Sequence, residues 1–95
     1  MIIRLVKFET ELSEEEVLKV ADERIDPFRS LPGLVQKYYV KPSEPNQYGG
    51  VYIWKSREVL AAYRESDLAS SIAAAYKVKG VPVIETMDVF FPLRD

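Results

Sequence analysis

Among the charged side chains within the predicted strands, Arg4, Lys37 and Asp88 have mainly apolar or aromatic neighbours in the sequence. A charge inside a strand is costly unless water or an opposite charge compensates it. One hypothesis is catalytic: Asp88, between Met87 and Val89, acts as general base on a phenol or hydroquinone, and Lys37 or Arg4 stabilises the resulting anion. The other is structural: Asp88 forms an ion pair with a basic neighbour at a pocket rim or across a dimer, and such pairs often resemble sites.

A second set of candidate residues is aromatic and could bind a flat ligand by stacking. Tyr48, Tyr52 and Trp54 lie on the same side of one strand. Each pair stacked with a ligand ring would contribute about 0.5 to 1.5 kcal/mol beyond area burial. Tyr39 lies on the preceding strand, and Tyr63 lies on a helix from which its phenol could hydrogen-bond a ligand oxygen. Alternatively, Tyr48 and Trp54 form the core of a dimer interface, where aromatic residues are enriched, and Tyr63 packs its helix.

The strand that carries these aromatic residues, Gln47 to Lys55, has no polar face. Alternation places Val51 and Ile53 on the side opposite to the tyrosines and the tryptophan. We expect helices to cover Val51 and Ile53, so that the aromatic side meets a second subunit, a ligand or both. The pair Gly49-Gly50 is not expected to bind phosphate, since a strand and not a helix N-terminus follows it. We expect these glycines to permit a bulge or a close approach of the backbone.

The composition excludes several classes of site. The chain contains no cysteine and no histidine, so we expect no disulfides, no thiol chemistry, no metal, no haem and no other cofactor. Its net charge is −2 and the charges are interspersed, which gives no footprint for nucleic acid. No apolar run approaches the ~20 residues of a membrane span. We therefore expect a soluble cytoplasmic protein, with residues 1–95 forming a single domain.

The order of predicted elements is β-α-β-β-α-β, which is typical of a ferredoxin-like α+β fold with one bare sheet face. Ser13 and Glu16 form a capping box at the first helix, and Pro27 should break or kink that helix near Asp26. The predicted elements are a strand Met1 to Glu9, a helix after Ser13, strands Leu34 to Lys41 and Gln47 to Lys55, a helix Arg57 to about Glu65, a helix from Ser66 or Asp67 through Tyr76, and a strand Val81 to Pro92 that follows Gly80.

Several short motifs together resemble one known family. They are Pro32-Gly33-Leu34, Lys37-Tyr38-Tyr39, Gly49-Gly50-Val51-Tyr52-Ile53-Trp54 with Ser56 two residues later, and Met87-Asp88-Val89. This set resembles the YdhR-like mono-oxygenase family of the dimeric α/β-barrel superfamily. The resemblance implies a homodimer in which two bare sheet faces meet, with a pocket in each subunit between the sheet and the helices.

The resemblance also implies a range of activities, since relatives oxidise polycyclic aromatics or quinols without metal or flavin, and others degrade haem. Tyr63 and Ala73 occupy the positions of an aromatic residue and of the histidine iron ligand in the haem-degrading branch, so haem ligation by that route is lost. Cofactor-free relatives rely on an aromatic residue, an asparagine or an arginine close to the substrate, and strand one offers Arg4 rather than an asparagine. The leading hypothesis is a cofactor-independent mono-oxygenase that acts on a small aromatic or quinol-like compound. The alternatives are a non-catalytic protein that binds a small apolar molecule and a structural dimer module without a ligand.

Overall fold

A computed structural model describes all 95 residues of the chain. The chain contains four strands and five helices. The elements are β1 (Ile2–Thr10), α1 (Glu14–Glu23), α2 (Ile25–Arg29), β2 (Leu34–Val40), β3 (Gln47–Trp54), α3 (Arg57–Arg64), α4 (Asp67–Ser70), α5 (Ile72–Ala75) and β4 (Val78–Asp88). No helix combines the length and the apolar character that crossing a membrane requires.

The strands form one antiparallel sheet in the order β2-β3-β1-β4. The first and third strands are central, and Arg4 of β1 lies opposite Tyr52 of β3 on one side and Thr86 of β4 on the other. On the next strand out, Lys37 of β2 lies opposite Tyr52. This is the predicted ferredoxin-like α+β topology, and its register places these side chains on one face of the sheet.

Local sequence signals explain where the first helices begin. The Ser13 hydroxyl accepts a hydrogen bond from the Glu16 backbone N–H, and the Glu16 carboxylate accepts one from the Ser13 N–H, which confirms the capping box. The predicted break near Asp26 is wrong by two residues, because the chain departs from helical geometry at Arg24. Pro27 is the third residue of α2, where its missing N–H costs no intrahelical hydrogen bond.

The helical region after β3 is divided into three helices instead of the predicted two. Ser56 and Ser66 cap α3 and α4 through their hydroxyls, as expected from the sequence. Lys77, with φ of 49°, ends the helical region, and β4 begins at the next residue. The prediction that Gly80 closes the last helix is therefore wrong, since Gly80 lies inside β4 with φ of 68°.

The helices cover the aromatic side of β3, which is opposite to the prediction. Tyr52 and Trp54 are buried beneath the helical layer, and Trp54 has no exposed surface. They pack with Ile2, Phe28, Leu60 and Tyr63 in one cluster, while Phe8, Val17, Ala21 and Tyr76 form a second. The aromatic rings fill the wide space between sheet and helices, which the smaller Val51 and Ile53 would leave partly empty.

The opposite face of the sheet is not covered by any element of the chain. Register places apolar side chains from all four strands on this bare face, with Lys7, Glu85 and Gln36 among them. Tyr38, Val83 and Met87 retain 57%, 54% and 45% of their surface exposed. The apolar residues of the bare face are Ile3, Leu5, Tyr38, Val40, Val51, Ile53, Val83 and Met87.

Candidate active site

Four aromatic rings meet between the sheet and the helices. The Tyr52 and Trp54 rings are parallel within 4°, with centroids 6.1 Å apart. Tyr63 of α3 lies 4.8 Å from Trp54 and 6.0 Å from Tyr52, and Phe28 of α2 lies 6.3 Å from Tyr52. These contacts hold the Tyr52 ring in place, and two cavities open on either side of it.

The first cavity, here called the arginine cavity, has a volume of about 240 Å³ and lies between the sheet and the segment from α3 to α5. Arg4 reaches it from β1 and Arg64 from the end of α3, while Tyr52 and Tyr63 complete its polar lining together with Ser70. The apolar lining consists of Val6, Ala69, Ile72, Ala73, Pro82 and Ile84.

The two guanidinium groups of the arginine cavity have no counter-ion. Neither Arg4 nor Arg64 forms an ion pair, and no carboxylate lines the cavity. Burial, followed by the like charge of Arg64, lowers the pKa of Arg4, and burial raises the pKa of Tyr63. The cavity is therefore electropositive and favours the anionic form of a bound phenol or quinol.

The second cavity, here called the lysine cavity, has a volume of about 260 Å³ and lies between the sheet and α1. Val6 and Tyr52 line both cavities, so the two are neighbours across these side chains. Lys37 and Tyr39 reach the lysine cavity from β2. Its other lining residues are Phe8, Glu14, Val17, Leu18, Ala21, Val40, Lys41, Tyr48, Gly49, Gly50 and Tyr76.

Three aromatic rings surround the Lys37 amine. Its Nζ lies 3.6 Å from the centroid of Phe28, 4.5 Å from that of Tyr39 and 4.7 Å from that of Tyr52. Burial lowers the pKa of Lys37 to about 7. Burial also raises the pKa of Tyr52 well above its usual range and that of Tyr76 to about 12, so both phenols stay protonated near neutral pH.

Asp88 lies outside both cavities, whereas the catalytic hypothesis requires its carboxylate in a pocket beside the substrate. It is the last residue of β4, and its carboxylate accepts a hydrogen bond of 2.9 Å from Arg57 at the start of α3. Both side chains are more than half exposed. Asp88 therefore forms an ion pair, as in the structural hypothesis, and its partner is Arg57. The catalytic role of Asp88 stays a prediction.

The structure brings together some predicted site residues and separates others. Arg4, Tyr52 and Tyr63 converge on the arginine cavity, whereas Lys37 and Tyr39 lie on the lysine cavity. Trp54 lines neither cavity and supports the Tyr52 and Tyr63 rings from within the core. The binding roles of these residues stay predictions, but the expected place of Trp54 at a subunit interface is wrong.

Sequence reasoning missed two residues of these sites, Arg64 and Phe28. Arg64 follows Tyr63 at the end of α3, and a basic residue there has an ordinary explanation because it complements the helix dipole. Phe28 recurs at helical spacing after the core residues Val17 and Ala21 of α1. This pattern indicated that Phe28 packs in the core, but it gave no sign of a contact with Lys37. The position of Arg64 next to Tyr63 was the only sequence signal that Arg64 belongs to the site. The contact between Phe28 and Lys37 depends on how α2 packs on the sheet, which the sequence does not show.

The fold and these cavities define a ferredoxin-like α+β domain with a pocketed layer between one sheet face and its helices. The chain belongs to the family described as "Putative mono-oxygenase ydhR", whose model matches residues 3–90. This confirms the resemblance seen in the sequence motifs. Among curated proteins, no sequence matches the chain.

Solved structures share the fold at low sequence identity. The cofactor-independent oxygenase SnoaB from Streptomyces nogalater superposes with a TM-score of 0.77 at 14% identity, covering 99% of this chain and 97% of that one. A putative antibiotic biosynthesis monooxygenase from Deinococcus radiodurans gives a TM-score of 0.77 at 11% identity, covering 100% of this chain and 98% of its own. At these identities the likeness establishes the architecture of the domain, over nearly its whole length.

Proposed function

We propose that this protein is a cofactor-independent mono-oxygenase that oxidises a small phenol or quinol in the arginine cavity. The carrying observation is the pair of uncompensated guanidinium groups of Arg4 and Arg64 on a largely apolar cavity. Membership of the mono-oxygenase family supports the proposal, as does the shared fold with a cofactor-independent oxygenase.

The chemistry requires an electron-rich substrate anion that can reduce oxygen directly. The two guanidinium groups lower the pKa of a bound hydroxyl, and the proton leaves to water at the cavity mouth. Oxygen then adds to a ring carbon that carries hydrogen, and the hydroperoxide loses water to give a quinone. One oxygen atom enters the product and the other leaves as water, so no external reductant is needed.

Arg4 and Tyr63 have distinct roles in this proposal. Arg4 is half-buried on the central strand, so its charge acts on the substrate with little screening by solvent. Tyr63 is buried and stays protonated, which lets its hydroxyl donate a hydrogen bond to the substrate oxygen. Asp88 and Lys37 have no step, because neither lines the arginine cavity.

The test is oxygen consumption on a panel of hydroquinones and phenols, with chelator present, by the wild type and by Arg4→Met. A hydrogen bond to a charged group contributes about 1.5 to 3 kcal/mol, so we expect loss of Arg4 to move the alkaline rise in rate upward by about one to two pH units. Arg57→Met is the matched control, since Arg57 lies outside both cavities.

Labelled oxygen gas should place one labelled atom in the product. If the wild type consumes no oxygen above buffer on any member of the panel, the proposal fails. If the panel compounds bind without turnover, the alternative of a small-molecule binding protein takes its place. Equal pH profiles for wild type and Arg4→Met would remove Arg4 from the mechanism.

The same proposal includes a homodimer formed through the bare face. Its apolar side chains extend across all four strands, and an exposed apolar sheet of this extent is typical of an interface. This differs from the sequence prediction, which assigned the interface to Tyr48, Tyr52 and Trp54.

Sedimentation of Ile53→Lys tests this interface. Ile53 lies on the bare face away from the core clusters, so the variant should fold as a monomer. Leu18→Lys on α1 is the control for placing a lysine at an apolar position on the helical side, where Leu18 is exposed. A monomeric wild type, or an Ile53→Lys variant that remains dimeric, would contradict the interface.

A further inference from the structure

We propose that the lysine cavity is a second site, which binds a small apolar aldehyde or ketone that Lys37 captures as a Schiff base. This site is independent of oxygenation in the arginine cavity. It rests on the position of the Lys37 amine, on the groups that surround it and on the space in front of it.

The Lys37 amine has no polar partner in the chain. Its Nζ makes no hydrogen bond and no ion pair, and the rings of Phe28, Tyr39 and Tyr52 surround it. Burial lowers the pKa of Lys37, and the positive charge of Arg24 is near enough to lower it further. The one carboxylate on the lysine cavity, that of Glu14, is paired with Lys41. No acidic group therefore holds Lys37 in its protonated form.

This environment makes the amine nucleophilic near neutral pH. With a pKa of about 7, close to half of the Lys37 side chains carry a free lone pair at pH 7. An exposed lysine with a pKa of about 10.4 is unprotonated in only about one molecule in 2,500. Ion pairs with acidic residues raise the pKa of Lys41 and Lys79 further. Desolvated lysines of this kind are the ones that form Schiff bases.

The cavity in front of Lys37 suits an apolar carbonyl compound. Its volume of about 260 Å³ is about nine times the roughly 30 Å³ that one water molecule occupies in the liquid, which is enough for a small ring or a short chain. Val17, Leu18 and Tyr76 provide an apolar lining opposite the strands, and Phe8 adds to it from β1. A benzaldehyde or a medium-chain aldehyde matches this size and polarity, whereas a sugar would leave its hydroxyls without partners.

The covalent step needs no further reactant. The Lys37 nitrogen attacks the carbonyl carbon, the oxygen takes up a proton, and the resulting carbinolamine loses water as the carbon–nitrogen double bond forms. The faces of Phe28, Tyr39 and Tyr52 stabilise a positive charge at this nitrogen and so offset part of the cost of its burial, and they act on the protonated Schiff base as they do on the ammonium. Water at the cavity mouth reverses the reaction.

Reductive trapping tests the site on the wild-type protein. Benzaldehyde and sodium borohydride are added at neutral pH, and mass spectrometry of peptides locates the benzyl groups that hydride reduction makes permanent. Among the seven lysines of the chain, Lys37 should carry most of the label, and omission of borohydride should leave none. Label spread over exposed lysines without preference for Lys37, or absent altogether, would overturn the proposal.

Two variants and a pH series sharpen the result. Lys37→Arg keeps the positive charge but removes the nucleophile, so it should lose the dominant adduct, while Lys55→Arg at an exposed position should keep it. If Lys37→Arg does not fold, the wild type alone decides: labelling of Lys37 should level off above neutral pH while that of Lys55 keeps rising. Parallel pH curves for the two lysines would refute the site, and oxygen consumption plays no part in either readout.

Discussion

Replacing Lys37 with methionine should stabilise the protein at neutral pH. The folded structure lowers the pKa of Lys37 from 10.5 to about 7. At 1.36 kcal/mol per unit, and with about half of the folded side chains already neutral at pH 7, keeping this residue folded there costs roughly 4 kcal/mol of unfolding free energy. Methionine has a similar length and no charge, and repacking it among the rings costs about 1.5 kcal/mol. We expect a net gain of roughly 3 kcal/mol for Lys37→Met.

The pH dependence of this gain has a definite sign. Between about pH 7 and the unfolded value near 10.4, the unfolded chain binds more protons at residue 37 than the folded chain. The contribution of Lys37 to wild-type stability should therefore rise with pH in this window, by up to about 1.4 kcal/mol per unit. The advantage of Lys37→Met should shrink over the same window and vanish above it, since the lysine is then neutral in both states.

Urea unfolding of both proteins at neutral and alkaline pH, at one fixed protein concentration, measures the difference. Lys55→Met is the control for loss of a lysine at an exposed position, and it should leave the pH dependence unchanged. A Lys37→Met protein less stable than wild type at neutral pH, or an advantage that stays constant as pH rises, would refute the reasoning.

Three further outcomes follow from the packing. Trp54→Ala should lose about 3 to 5 kcal/mol of unfolding free energy, because the indole is fully buried, and a loss below ~1 kcal/mol would contradict its place in the core. Gly49→Ala should unfold the protein or strongly destabilise it in thermal melts, since a Cβ there would collide with the backbone carbonyl of Val6. Asp88→Asn should lose less than about 1 kcal/mol and keep its rate of oxygen consumption, because the pair with Arg57 is exposed; a large loss of rate would restore Asp88 to the mechanism.

The order of elements could be predicted from the sequence because its signals are local. The capping box at Ser13 and the serine caps at Ser56 and Ser66 fix helix starts through contacts within a few residues. The alternation of β1 and β3 also gives correct sets of residues that share a face. These features depend on the chain near each residue and on little else.

The covered face could not be predicted, because both faces of β3 are apolar. Alternation shows that Tyr52 and Trp54 share a side, but not which side the helices take. The position of Asp88 depended on where β4 ends, because the strand stops at Asp88 and not at Pro92, which leaves the carboxylate at the strand end within reach of Arg57. The enclosure of Lys37 depends on Phe28, which approaches from α2 through tertiary packing.

Tyr52 forms part of the wall of both cavities, and this sharing has a thermodynamic consequence. Its ring packs against Trp54, Tyr63 and Phe28. Because the ring lines both cavities, a ligand that displaces it from one side alters the shape of the cavity on the other side. Any such effect is reciprocal: if a carbonyl compound on Lys37 changes the affinity of the arginine cavity by some factor, an occupant beside Arg4 must change carbonyl binding by the same factor. A single tyrosine would then act as the point of communication between two chemically different ligands within one small domain.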